Sequence, residues 1–212
     1  YKNYIFCFFS RNREHKFSSL NCAYNRGDSE AVVKKNRNFT SNYLNKNKII
    51  LTNQVHSNIV SYVDRNFSED ISSDAMVTNR KDILLGILTA DCAPIVVLGK
   101  KYFGIIHAGW KGLINGIIEN TIMKFNSLGE TENHLNVFVG PHLSMDSFEV
   151  KKDFINNIKK KIKNYDNFIE SKRQKKIFNF SGLIESKLID LKINNYDISK
   201  ENTYTNPEKF FS

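Results

Sequence analysis

The first two-thirds of the chain is cut into short apolar or alternating runs, each bounded by polar or turn residues, and this punctuation restricts it to folds built on short strands. The runs cover residues 4–9, 48–54, 59–63, 75–78, 84–89, 95–98, 102–107 and 137–139. Helical periodicity takes over at 29–40, 114–127, roughly 151–163 and, more briefly, near 181–193. In the second of these, Ile114, Ile117, Ile118, Ile122 and Phe125 share one face, while Asn115 and Gly116 weaken the first turn. Residues 65–73 read as a polar loop, and neither internal repeats nor a low-complexity linker interrupts the order. The succession predicts an α+β fold, or mixed α/β layers. With 212 residues and 41% hydrophobic content the chain can bury one core of ordinary size, so a single domain over 1–212 is expected.

Three of the runs end in reactive side chains. NQVH (53–56), TADC (89–92) and IHAGWKG (106–112) bring His56, Cys92 and His107 to points where a strand hands over to a loop or helix, and such strand ends are where sites are built. Two imidazoles and a thiol suit zinc, which takes nitrogen and sulfur ligands in a tetrahedron; a catalytic site leaves the fourth position open. Their spacing matches no zinc-finger or HExxH pattern. Taken singly, each residue favours a buried cysteine or a hydrogen-bonded core histidine, and it is their shared position at the ends of apolar runs that points to a site. Two further readings stand beside the metal. In one, Cys92 is the nucleophile of a cysteine hydrolase with His107 as its base; in the other, the chain is a non-enzymatic basic binding module and the three residues are structural. His56 discriminates, since a metal site requires it and a nucleophile–base pair does not. Asp91, in a strand, would face away from Cys92. Asp91 or Asp74 is a candidate to accept the free ring N–H of a ligand histidine and orient it. Gly109 and Gly112 permit a close backbone approach after His107, and Trp110 between them is expected to pack into the core.

The net charge of +9 raises the question of nucleic acid, and its distribution answers it. Much of it lies late, at Lys151, Lys152, Lys159, Lys160, Lys161, Lys163, Lys172, Arg173, Lys175 and Lys176, on a polar stretch that reads as helices with solvated faces. No stacking motif of aromatic and basic residues accompanies it, so nucleic acid is not an expected partner. No apolar run reaches the 18 residues a membrane span needs, and the first ten residues are too short and aromatic for a secretory signal. Cys7, Cys22 and Cys92 form an odd, sparse set without a disulfide framework; together these features predict a cytoplasmic protein without membrane partners. Cys7, inside an aromatic run, reads as inert core.

In order along the chain, NQVHS (53–57), LTADCAPIVV (88–97), IHAGWKGLINGII (106–118) and GPHLSMDSFEV (140–150) resemble the bacterial proteins once called laccase-type multicopper polyphenol oxidoreductases, now regarded as zinc-dependent purine nucleoside phosphorylases with adenosine deaminase side activity. The resemblance extends from Ser19, Leu20 and Asn21, through Arg26, Gly27, Asp28, Asn36 and Arg37, to Tyr204, Thr205, Asn206 and Pro207 and the closing FFS (210–212). It implies an α–β–β–α sandwich with two central sheets flanked by helices, and it implies that His56, Cys92 and His107 form a catalytic zinc centre. It further implies phosphorolysis of adenosine, inosine or guanosine to free base and ribose 1-phosphate, with purine nucleoside and inorganic phosphate as partners, in a monomer or homodimer.

By the same resemblance, Asn21 and Arg37 lie at the nucleoside and phosphate pocket, and a guanidinium fork is chemically apt for phosphate. Arg11 and Arg26 are weaker candidates of the same kind. Gln54 would share a strand face with His56, within reach of a purine or water. His142, after Gly140 and Pro141, is the candidate for an additional active-site histidine. With only five histidines, His15, His56, His107, His134 and His142, the chain cannot furnish several copper centres, though one His/Cys site can take copper adventitiously. The sequence departs from the family at Arg13 to Ser18, which replaces a glycine-rich turn, and at Asn202 and Thr203, where relatives often carry a cysteine. It ends at Ser212 where relatives continue with basic residues, so any contribution from such a tail is expected to be missing.

Overall fold

The uninterrupted apolar run Ala93–Leu98 becomes a strand buried along its whole length, and the rest of the molecule is arranged around it. The computed structural model describes residues 4–11, 20–24, 26–68 and 70–212; the atypical 13–18 stretch lies outside the described residues. In chain order the strands are β1 (Ile49–Ile50), β2 (Val60–Tyr62), β3 (Ala75–Thr78), β4 (Leu84–Leu85), β5 (Ala93–Leu98), β6 (Phe103–Ala108), β7 (Asn136–Val139), β8 (Glu149–Val150), β9 (Ile169–Lys172), β10 (Lys175–Phe178) and β11 (Asn195–Ile198). The α-helices are α1 (Glu30–Tyr43), α2 (Trp110–Ile114), α3 (Ile117–Ser127), α4 (Lys152–Lys161) and α5 (Phe180–Asp190).

The central sheet has six strands in the order β11-β7-β5-β6-β3-β2, beside a two-stranded β1-β4 pair and a three-stranded β8-β10-β9 sheet. It is mixed: β2 runs parallel to β3 and β11 to β7, while the β3, β6, β5 and β7 neighbours are antiparallel. One face carries Ile95, Val97, Ile106 and Val137 against Ile118, Ile122 and Phe125 of α3 and Leu183, Ile184 and Leu188 of α5. The other carries Met76, Val96, Leu98 and Ile105 against Ile50 and Leu85 of the small β1-β4 pair, closed by Phe6, Phe8 and Phe67. A second sheet thus lies over the face opposite the helices, and the expected mixed α/β layering is what the chain adopts.

Several element boundaries differ from the sequence reading for identifiable reasons. Residues 4–9 do not form a strand; they run extended, with Tyr4, Phe6 and Phe8 on the core and Ile5, Cys7 and Phe9 outward. Alternation alone therefore mimicked a strand, and Cys7 is exposed rather than buried. The helix expected at 114–127 begins earlier, at Trp110, and is broken at Gly116, which takes a left-handed φ of 91°. The basic stretch from Lys172 to Lys176, read as helical, is instead a β9–β10 hairpin whose two turn residues, Arg173 and Gln174, both have positive φ. That is the geometry two-residue hairpins favour, but here without the usual Asn or Gly to announce it. Two of its lysines pair with carboxylates: Lys172 with Asp146 and Lys175 with Glu149, both at 2.7 Å.

The β5–β6 hairpin fixes the chemistry, because its register sets Pro94 opposite His107 and Ala93 opposite Ala108. Its far turn is held by Glu130, whose carboxylate accepts from the N–H groups of Lys100, Lys101 and Tyr102 at 2.9, 2.6 and 3.1 Å. Burial pushes the Glu130 carboxyl up, but the Lys101, Lys100 and Tyr102 N–H groups outweigh it and hold the group below its ordinary value of 4.5. The folded state therefore prefers the charged form. The resulting stabilisation is complete above about pH 4.5 and is lost as pH falls through the lower folded value. Glu130→Gln is expected to lose about 1–3 kcal/mol at pH 7, and urea titrations should show the gap to the natural protein shrinking at pH 3; a gap independent of pH would refute the role of the charge.

Candidate metal centre

At one end of the central sheet, the residue before β3, the residue before β5 and the penultimate residue of β6 are Asp74, Cys92 and His107. The 53–58 turn folds over them. Its backbone is tied to the loop before β3 by Asn53 and Ser73, each donating its N–H into the other segment. His56 and Asp91 both sit in the left-handed region, at φ 58° and 73°. Such conformations cost energy in non-glycine residues and persist where surrounding contacts over-determine them.

Asp74 supplies those contacts at His56. Its side chain is completely buried. One carboxylate oxygen accepts from His56 N–H at 3.0 Å and from His107 Nδ1 at 2.7 Å. The other accepts from the N–H groups of Val55 and Ser57 at 3.2 and 2.6 Å and from Ser57 Oγ at 2.7 Å. Burial raises the Asp74 carboxyl, but the hydrogen bonds from Ser57, His107 and Val55 win, so its value is lowered and it stays ionised. His107, 3% exposed, is itself lowered, chiefly by burial, with Asp74 working in the opposite sense. A neutral His107 that donates Nδ1–H to Asp74 carries its free lone pair on Nε2, the arrangement of a carboxylate-oriented metal ligand.

One ligand atom each from His56, Cys92 and His107 lies within 4.8 Å of the others, the only such group among the described residues. Cys92 Sγ is 3.8 Å from His56 Nε2, and the two imidazole centroids are 4.8 Å apart at 76°. Tetrahedral zinc bonds of 2.0–2.3 Å place neighbouring ligand atoms about 3.5 Å apart, so the donor set fits a metal with little adjustment. Three donors would leave one tetrahedral position over, and His56 is exposed to solvent. Burial, with Asp91 and Asp74 adding to it, pushes the Cys92 thiol up to about 11. A nucleophilic cysteine needs the opposite shift, whereas a coordinating cation deprotonates a thiol outright. The imidazole in hydrogen-bonding reach of this thiol is that of His56, at 3.8 Å, while the His107 expected of a hydrolase pair gives its Nδ1–H to Asp74.

The glycines after His107 admit this crowding. A Cβ on Gly109 would stand 2.6 Å from His56 Cδ2 and 3.2 Å from Cys92 Sγ, and one on Gly112 would meet the Ser57 carbonyl at 2.6 Å. Trp110 packs on Phe154 with centroids 4.7 Å apart, as expected of a core residue.

The remaining candidates fall into separate groups. Asn21 organises its own turn, donating to Asp28 Oδ2 at 2.7 Å and to the Arg26 carbonyl, while Arg37 donates Nε–H to the Cys22 carbonyl at 2.9 Å and stacks over Tyr24. Gln54 clasps the backbone of Leu88 through both ends of its amide, each at 2.8 Å. His142, 1% exposed, engages Gly140 and Ser181. Asp91 is not beside a ligand imidazole: it accepts from Thr203 Oγ1 at 2.7 Å and from Leu143 N–H at 2.9 Å, fastening the C-terminal segment to the sheet end. Arg11 also serves that segment, donating to the Pro207 carbonyl and lying over Phe211. A cleft of about 500 Å³ beside Asn58, Asn120 and Lys124 includes none of the three ligand residues. Ser57, present in the sequence reading only as the last letter of NQVHS, takes its role from Asp74, 17 residues away in the chain, to which its hydroxyl and N–H both donate.

The fold and site together define a mixed α/β protein with an open His–Cys–His centre at one sheet end. A family model described as multi-copper polyphenol oxidoreductase laccase matches residues 6–212, and the chain belongs to this family, the one its motifs resemble. A purine nucleoside phosphorylase of Rickettsia prowazekii is 31% identical over 203 residues, 94% of this chain and 82% of that protein. An adenosine deaminase from an unknown prokaryotic organism is 30% identical over 123 residues, 53% of this chain and 47% of its own. YlmD of Geobacillus stearothermophilus has the same fold, with a TM-score of 0.85 at 19% identity over 96% of this chain and 83% of that one. Among the described residues no helix is long and apolar enough to cross a membrane.

Gly109→Ala should leave the fold intact, because His56 is exposed and can swing away, yet separate the ligands. Elemental analysis is expected to find a small fraction of the metal bound by the natural protein while the far-ultraviolet circular dichroism is unchanged. Full metal content in the variant would show that the close approach is not needed.

Proposed function

We propose that the chain is a zinc-dependent purine nucleoside phosphorylase. The observation that carries this reading is the open His56–Cys92–His107 cluster backed by the buried Asp74 carboxylate. It is supported by similarity to a relative of that name over 94% of this chain and 82% of that protein. One thiolate and two neutral imidazoles favour zinc over the hard oxygen-seeking cations, and a single three-donor cluster is poor support for multi-copper oxygen chemistry. Zinc held there supplies Lewis acidity that stabilises negative charge developing on the substrate.

The chain's own residues set up the rest. Asp74 holds His107 in one tautomer and fixes the turn that carries His56, so both imidazoles are presented without rearrangement. In phosphorolysis, an oxygen of inorganic phosphate attacks the anomeric carbon of the ribose. The bond to the purine nitrogen breaks with its electron pair on the base, which takes up a proton. We assign Arg37 to the phosphate and Asn21 to the turn that presents it, since Arg37 is anchored through Nε and by Tyr24. Gln54 and His142 are assigned supporting roles: each already binds protein groups through both ends. A second reading, deamination of adenosine, draws on the relative named for that reaction.

Inosine and adenosine incubated with the zinc-loaded protein should release free base and ribose 1-phosphate only when phosphate is present. His56→Ala and Cys92→Ala should each abolish release and lose about one zinc per chain. Loss of ammonia from adenosine without phosphate would favour deamination. Turnover that survives His56→Ala but not Cys92→Ala would contradict the metal reading.

A further inference from the structure

The end of the sheet that holds Cys92 also holds a second pair of reactive side chains. β7 runs antiparallel to β5, and Gly140 N–H donates to the Pro94 carbonyl at 2.8 Å, so the 140–144 loop leaves the sheet at the same end. β11 lies parallel to β7 on the outer side, with Ser199 N–H on the Val139 carbonyl. Between this loop and the start of α5, His142 and Ser181 meet, with Nε2 2.7 Å from Oγ.

The tautomer follows from the partners. His142 Nδ1 is 2.8 Å from the Gly140 carbonyl, a group that can only accept, so Nδ1 carries the hydrogen. Burial holds the imidazole below its ordinary value despite that carbonyl, so it is neutral at pH 7 and Nε2 is a lone-pair acceptor. The Ser181 hydroxyl must therefore be the donor. This is the hydrogen-bonding pattern of an activated serine: nucleophile to base, and base oriented by a third group. Ser181 is partly exposed and lines a cleft of about 390 Å³. It stands in the first turn of an eleven-residue helix, where Asn179 caps the Gly182 N–H at 2.9 Å and the N–H groups of Phe180 and Ser181 itself are the ones without intrahelical partners that can aid developing negative charge. Glu185, which accepts from Tyr196 at 3.1 Å, Asp197 and Lys200 line the same cleft, and two carboxylates against one ammonium leave a net negative balance that disfavours phosphoryl or carboxylate ligands.

We propose that Ser181 is a nucleophile, with His142 as its general base, in a site that takes neutral acyl esters and is distinct from the metal centre. Ser181 Oγ bonds to the ester carbonyl carbon as its proton passes to His142 Nε2. The alcohol departs with the C–O electron pair and recovers that proton, leaving an acyl serine. Water, deprotonated by His142, then attacks the same carbon, releasing the carboxylic acid and restoring the serine.

The test uses p-nitrophenyl acetate on the full chain carrying Cys92→Ala, which removes acylation of that thiol. Expected are a burst of nitrophenolate and an acetyl group on the peptide containing Ser181, with the burst lost in Ser181→Ala. His142→Asn should slow acetylation of Ser181 about 100-fold or more. Should that buried substitution unfold the chain, Ser181→Cys takes its place and is expected to acylate faster than an exposed cysteine, Cys7, in the same molecule. Acetylation of Ser181 no faster than other exposed serines, an unchanged rate in folded His142→Asn, or a Ser181→Cys thiol no more reactive than Cys7 would overturn the proposal. None of these readouts depends on nucleoside turnover.

Discussion

A single buried carboxylate organises the end of the sheet that carries His56, Cys92 and His107. Asp74 is removed from water, which is costly for an ion, and the cost is met by five donors: the N–H groups of Val55, His56 and Ser57, the Ser57 hydroxyl and the His107 ring. Those donors come from the loop before β2 and from β6, so one anion joins the two segments that carry the imidazoles. Hydrogen bonds to charged groups contribute about 1.5–3 kcal/mol each, and a removed partner leaves buried donors unsatisfied. That is sufficient to hold His56 in a left-handed backbone conformation.

The central sheet does the remaining positioning. Because β5 and β6 are adjacent and antiparallel, the start of one lies beside the end of the other, and Cys92 arrives opposite the region of His107 without any sequence proximity. Glu130 at the far turn, and the two apolar faces packed on helices and on the small sheet, keep that register from slipping. Gly109 then allows His56 and Cys92 to close over the backbone. Rigidity of this kind suits a centre whose ligands must be in place before substrate arrives.

The parts legible in the sequence are those governed by local pattern. The apolar run of β5, the helical face of α3 and the placement of Cys92 and His107 at the ends of β5 and β6 follow from periodicity and punctuation, whereas the run expected over 48–54 forms a strand only at Ile49–Ile50 and leaves His56 in a turn held by Asp74. Asp74 was recognisable as one of two candidate orienting carboxylates; choosing it over Asp91 required the fold, since its partners come from positions 17 and 33 residues away. The β9–β10 hairpin was hidden because Arg173 and Gln174 adopt positive φ without glycine or asparagine. β11 was hidden because Asn195–Ile198 is only four residues long and two of them are Asn and Asp, types that strands disfavour, even though the run alternates exposed and half-buried at the sheet edge. The Ser181–His142 pair spans 39 residues and exists only through the packing of α5 against the 140–144 loop.

The dependence of the site on Asp74 can be measured as zinc affinity, by competition with a chromogenic chelator, for the natural chain and for Asp74→Asn that retains the far-ultraviolet circular dichroism of the fold. The carboxylate's role predicts affinity weakened about 10–100-fold in the variant. Equal affinity would mean that the histidines are positioned without it, and that the buried anion is not what holds this centre together.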